Sequence, residues 1–162
     1  MMQHSFWENI TESHGEYMTS VQFLSAFFQG KHEFYLGDLY DEDGEEIEEE
    51  PTTEQLDEFA ETYQSFILHW PQLLAQLQEK AFARYQQLYA HYYENPEKSD
   101  APALNIDSIE KHNPYILNLL NIHIGTNQTV RLAIRYKLDT EHGLEFLFVN
   151  NELIGVGGIA ET

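Results

Sequence analysis

After Pro51 the apolar residues recur at steps of three and four: Leu56, Phe59, Tyr63, Phe66 and Trp70, then Leu74, Leu77, Ala81, Tyr85, Leu88 and Tyr92. Only an α-helix brings residues so spaced onto one side. Thr52 and Gln55 stand at capping-box spacing and mark the start, while Asn95 and Pro96 mark the end. Pro71 interrupts the stretch, either opening a second helix at its first position or bending a continuous one. Two helices packed through these stripes is the simplest expectation. Aromatics at helical spacing are far more often core than a groove for a partner.

The flanking segments read as strands. Residues 21–28 and 32–40 are rich in aromatics around the turn signal Gln29, Gly30 and Lys31, which suggests a hairpin. Residues 94–102 have a loop composition. A helical turn is expected from Asp107, whose spacing to Glu110 fits a capping box, and Pro114 can open a short helix through Leu120. Residues 129–139 then alternate, with Val130, Leu132, Ile134, Tyr136 and Leu138 on one side. Strands over 143–150 and 152–156 follow, separated by the turn pair Asn150 and Asn151. The expected fold is therefore α+β: an antiparallel sheet, made of an N-terminal hairpin and a C-terminal meander, packed against a central pair of α-helices. Neither a repeat nor a long linker divides the chain, which reads as one domain over residues 1–162.

Charge limits the partners. The 162 residues hold 28 Asp and Glu against 8 Lys and Arg, a formal net charge of −20, which repels nucleic acid and anionic membranes and favours a basic partner. Absence of cysteine removes disulfides and thiolate zinc sites. Residues 1–17 lack the basic and apolar regions of an export signal, and no segment is apolar enough to span a membrane, so a cytoplasmic location is expected. The anions are concentrated. No Lys or Arg occurs between Lys31 and Lys80, and eight of the ten residues 41–50 are acidic. Such a run repels itself and must stay hydrated, so a mobile surface loop is expected there. Its field would speed encounter with a cationic protein surface, although a run of this kind can also serve solubility alone.

Signals for chemistry are weak. The eight histidines contain no pair four apart on a helix. Asp41, Asp43, Gly44 and Glu50 match four positions of a calcium loop, but Leu39 stands where its first carboxylate belongs. Gly155, Gly157 and Gly158 do not join a strand to a helix and form no phosphate loop. In the turn Asp139, Thr140, Glu141, His142 and Gly143, the carboxylates are expected to hold backbone or imidazole groups while Gly143 takes a positive φ. A hydrolase using His142 is the weaker alternative. Arg131, Arg135 and Lys137 lie on one face of one strand and should meet Glu145 across the sheet. No catalytic group, cofactor or metal is expected.

The stretch Asp139, Thr140, Glu141, His142, Gly143 and Leu144, followed by Gly155, Val156 and Gly157, resembles a small bacterial domain family ending in an Asp-x-Glu-His-Gly-Leu hairpin. An early Phe27, Phe28, Gln29, Gly30, Lys31 segment, an acidic stretch, and the helix entry Pro51, Thr52, Thr53, Glu54, Gln55 occur in the same order. Such domains are similar to the acidic immunity proteins of polymorphic or contact-dependent toxin systems. The resemblance implies a non-enzymatic cytoplasmic inhibitor that binds one basic toxin domain, often a nuclease. Asp41, Glu42, Asp43, Glu45, Glu46, Glu48, Glu49 and Glu50 are the expected contact residues, with Tyr35 and Tyr40 as aromatic anchors beside them. The alternative is a regulatory or scaffolding module that self-associates through its helices.

Overall fold

The computed structural model describes residues 2–20, 23, 25–28 and 32–162. Its elements run β1 (Met2–His4), β2 (Glu8–Ser13), β3 (Glu16–Thr19), β4 (Glu33–Leu36), α1 (Thr53–Leu88), α2 (Ala90–Tyr93), α3 (Pro96–Ser99), α4 (Ile109–His112), a 3-10 turn (Asn113–Tyr115), β5 (Asn118–Gly125), β6 (Thr129–Arg135), β7 (Leu144–Val149) and β8 (Glu152–Gly157). The strands form one eight-stranded sheet in chain order. All neighbours are antiparallel except β4 and β5, which run parallel with Tyr35 opposite His123. A parallel pair needs a long crossover, and the chain supplies it in the stretch containing α1. The fold class is α+β as expected.

The expected helix pair is instead one continuous helix of 36 residues. Pro71 lies within it, on the solvent side next to buried Trp70. A proline in a helix interior removes one backbone hydrogen bond, a cost the buried stripe on both sides of Pro71 outweighs, so the helix continues past it. Thr52 caps the helix as read, accepting the Gln55 N–H while the Gln55 side chain accepts the Thr52 N–H. Leu56, Phe59, Tyr63, Phe66, Trp70, Leu77, Ala81 and Tyr85 are buried, but Leu73 takes the place expected for Leu74, and Leu88 and Tyr92 are exposed.

The stripe packs on one face of the sheet. Phe34, Ile122, Leu132 and Phe146 stand opposite one another along neighbouring strands and are inaccessible to solvent. Phe66 meets Phe148 edge to face at 5.1 Å, and Phe34 meets Tyr63 at 5.1 Å. Three tight hairpins use two consecutive residues with φ above zero: His14 with Gly15, Asn127 with Gln128, and Asn150 with Asn151.

The N-terminal hairpin is only partly accessible to comparison, because Val21, Gln22, Leu24 and the turn Gln29, Gly30 and Lys31 lie outside the described residues. Phe23 and residues 25–28 are not in a strand, and β4 pairs with β3 and β5. Trp7, in the turn between β1 and β2, is inaccessible to solvent and donates from Nε1 to the Leu56 carbonyl at 3.0 Å. Pro114 does not begin a helix through Leu120. The 3-10 turn ends at Tyr115, and Leu120 lies in β5, at the irregularity where β5 slips against β6.

Candidate functional site

The acidic run hangs between β4 and α1, and it is a closed turn. Tyr40 bridges Glu46, the Ile47 N–H donates to the Leu39 carbonyl at 2.8 Å, and the Asp41 N–H donates to the Glu45 carbonyl at 2.8 Å. Asp41 Oδ1 accepts the N–H groups of Asp43 and Glu45, both at 2.9 Å. Its carboxylate thus nucleates the turn, as Asp does at such positions. Glu42, Asp43, Glu45, Glu46, Glu48, Glu49 and Glu50 surround this frame, and all eight acids including Asp41 are exposed. Among the described residues the ion pairs within 4.0 Å are His4–Asp57, Lys111–Asp107 and His142–Asp139. None neutralises the turn.

Its base is tied to the ends of the two parallel strands. Asp38, two residues beyond β4, receives the Thr126 hydroxyl just beyond β5. Gly125 suits this close approach, since a Cβ there would collide with the Asp38 carboxylate, which the Thr126 hydroxyl holds in place. His123 Nε2 donates to the Gly37 carbonyl at 2.6 Å, fastening β5 to the same connection. Sequence reading missed this anchor of Asp38, His123, Gly125 and Thr126. Asp38 was one acid among many, and its partners lie some ninety positions away.

Two depressions flank the anchor. A narrow cleft of about 60 Å³ is bordered by Tyr35, Asp38, Glu49, Phe59 and His123. A wide open cavity of about 520 Å³ is bordered by Tyr40, Asp38, His123, Thr126, Arg131 and Glu145. The structure therefore brings Tyr35 and Glu49 to one depression and Tyr40 to the other, separated by Asp38 and His123. Tyr40 is 62% exposed. Tyr35 is half-buried, and burial followed by the hydrogen bond to Glu33 pushes its phenol above the ordinary range.

The expected pairing of Glu145 with cations across the sheet does not form. Glu145 faces Ala133 and is diagonal to Arg131, but its carboxylate accepts the Thr162 hydroxyl. Arg135 and Lys137 are exposed.

The Asp139 turn is a structural anchor. Tyr89 Oη donates to Asp139 Oδ2 at 2.7 Å, and His142 Nδ1 lies 3.0 Å from Oδ1. Burial alone would raise the Asp139 carboxyl, but these hydrogen bonds outweigh it and hold the group below the usual carboxylate range. The hydrogen bond to Asp139 in turn raises His142. Gly143 has φ +63°, as expected, and a Cβ would approach Ile159 at 2.6 Å. Beside it, Tyr85 donates to Glu94, Tyr93 to the Leu138 carbonyl at 2.6 Å, and His112 meets Tyr136 Oη at 2.7 Å. These groups are committed to one another, an arrangement that fastens the end of α1 to the turn after β6.

No helix among the described residues is long and apolar enough to cross a membrane. Comparison with curated proteins finds no match, and comparison with solved structures finds none. Residues 7–161 match the family described as Domain of unknown function (DUF6985), and the chain belongs to that family.

Proposed function

We propose that this chain is a cytoplasmic immunity protein that neutralises a basic bacterial toxin domain, a nuclease being the class its charge suits best, by covering the toxin's cationic substrate surface. One observation carries the reading: the carboxylates of the 41–50 turn are exposed on a hydrogen-bonded frame and unpaired with any cation among the described residues. A nuclease must present cations to hold phosphate, and a fixed array of carboxylates is complementary to such a surface. Order in the turn lowers the conformational cost of binding. Tyr40, exposed at the base of the turn, supplies apolar area for a desolvated centre. Self-association through helices is less favoured, because the apolar stripe of α1 is spent on the sheet.

The test is association with the basic C-terminal domain of a secreted protein encoded beside this chain's gene. Replacing Glu45, Glu46, Glu48 and Glu49 together by Gln should slow association and flatten its salt dependence. Unchanged association and salt dependence would reject the acidic turn as the binding surface.

A further inference from the structure

Arg131 stands out against the charge of the rest of the molecule. It lies on β6 directly opposite His123, and its neighbours Val130 and Leu132 are buried, so its side chain projects from the sheet face turned away from α1. There it borders the 520 Å³ cavity with Tyr40, His123, Thr126 and Thr162, and with Asp38 and Glu145, whose carboxylates are held by the Thr126 and Thr162 hydroxyls. The chain bears 28 carboxylates, yet among the described residues none lies within 4.0 Å of this guanidinium. Glu145, the acid best placed by register, gives its carboxylate to the Thr162 hydroxyl instead. A half-buried guanidinium presents a planar fork of donors whose best match is a carboxylate.

We propose that the cavity beside the acidic turn receives a carboxylate side chain carried by the cationic partner, with Arg131 as the residue that recognises it. The inference rests on the acidic-turn reading for delivery of the partner. The surrounding field selects the occupant: a multiply charged phosphate would be repelled by the whole surface, whereas one carboxylate set among lysines or arginines is brought in by its neighbours. The exposed carboxylates of the turn then contact those cations while Arg131 takes the anion. Such a pattern also gives specificity, since a partner lacking the carboxylate leaves a partly desolvated guanidinium unpaired.

Two capped peptides separate this from general attraction: acetyl-Lys-Lys-Asp-Lys-Lys-amide and its Asn counterpart, titrated into the full chain by calorimetry. Attraction to a −20 protein alone makes the Asn peptide bind more tightly, because it carries one more net positive charge. The proposal expects the reverse, with the Asp peptide tighter by roughly fivefold, and expects Arg131→Gln to restore preference for Asn. Preference for Asn in the parent protein, binding of neither peptide, or an Asp preference that survives Arg131→Gln overturns it. Replacing Glu45, Glu46, Glu48 and Glu49 by Gln should weaken both peptides alike. If that variant binds both as tightly as the parent while the Asp preference persists, the acidic-turn reading fails and the Arg131 site stands.

Discussion

Acidification from neutral pH to about pH 5 should destabilise this protein through His112. The ring is inaccessible to solvent and lies among Phe82, Tyr85, Tyr115 and Tyr136, with centroids 5.4 to 6.5 Å away. One nitrogen meets Tyr136 Oη, while buried Nδ1 has no hydrogen-bond partner, so a proton there would be poorly solvated. Burial lowers the pKa from 6.5 to about 4. The unfolded chain therefore takes the proton first, and the stabilisation present above about pH 6.5 is lost as pH falls towards 4. Linkage gives a loss on the order of 2 kcal/mol at pH 5 and about 3 kcal/mol at pH 4. Two effects oppose it. The raised pKa of His142 adds stability as pH falls towards 6.5, where that gain is complete, and protonation relieves self-repulsion in a −20 chain. The quantity to measure is thus a difference: urea unfolding of the parent and of His112→Phe at several pH values between 7 and 4.5. The variant leaves Tyr136 Oη unpaired and starts from a lower stability, but its loss on acidification should be smaller by about 2 kcal/mol at pH 5. Parallel curves for the two proteins would refute the assignment.

Gly125→Ala should cost about 1 to 3 kcal/mol in urea unfolding, because the new Cβ would collide with the Asp38 carboxylate. Adding Asp38→Ala should recover part of that loss, a coupling that a double-mutant cycle measures and that additivity would contradict. Tyr89→Phe removes the hydroxyl held by Asp139 and should destabilise by about 1.5 to 3 kcal/mol in thermal unfolding. Asp139→Asn should in addition lower the His142 pKa, followed by NMR of the ring protons, since Asp139 is the main cause of its rise.

Local periodicity made part of this fold legible. The stripe from Leu56 to Tyr85 survives as α1, and the alternation of Val130, Leu132 and Ile134 survives as β6, which ends at Arg135 rather than at the expected residue 139 and also buries Ala133 on its other face. Where the period breaks, so does the reading. In β5, Leu119, Ile122 and Ile124 are buried, but the slip at Leu120 interrupts the alternation and let Pro114 suggest a helix. In β2 only Ile10 is buried, so no pattern could reveal the strand, and Trp7 reaches the core from a turn. Pro71 is ambiguous locally because its effect depends on which way the residue faces, which only packing against the sheet decides. The acidic run was visible as a surface feature, but its order was not: the Asp41 turn and the Asp38–Thr126 anchor depend on backbone geometry and on the parallel β4–β5 pairing.

That anchoring explains how a self-repelling segment can hold one shape. Its frame is fixed by the backbone between Ile47 and Leu39 and by two carboxylates, Asp41 within the turn and Asp38 through Thr126, and not by the other charged side chains. Directly after it, the first turn of α1 presents unsatisfied N–H groups and the positive end of the helix dipole, and Glu54 occupies that turn. The apolar layers of the sheet and α1 contribute none of the exposed acids. Substitutions among Glu42, Asp43, Glu45, Glu46 and Glu48 can therefore change the charge of the turn's surface while leaving its backbone frame intact.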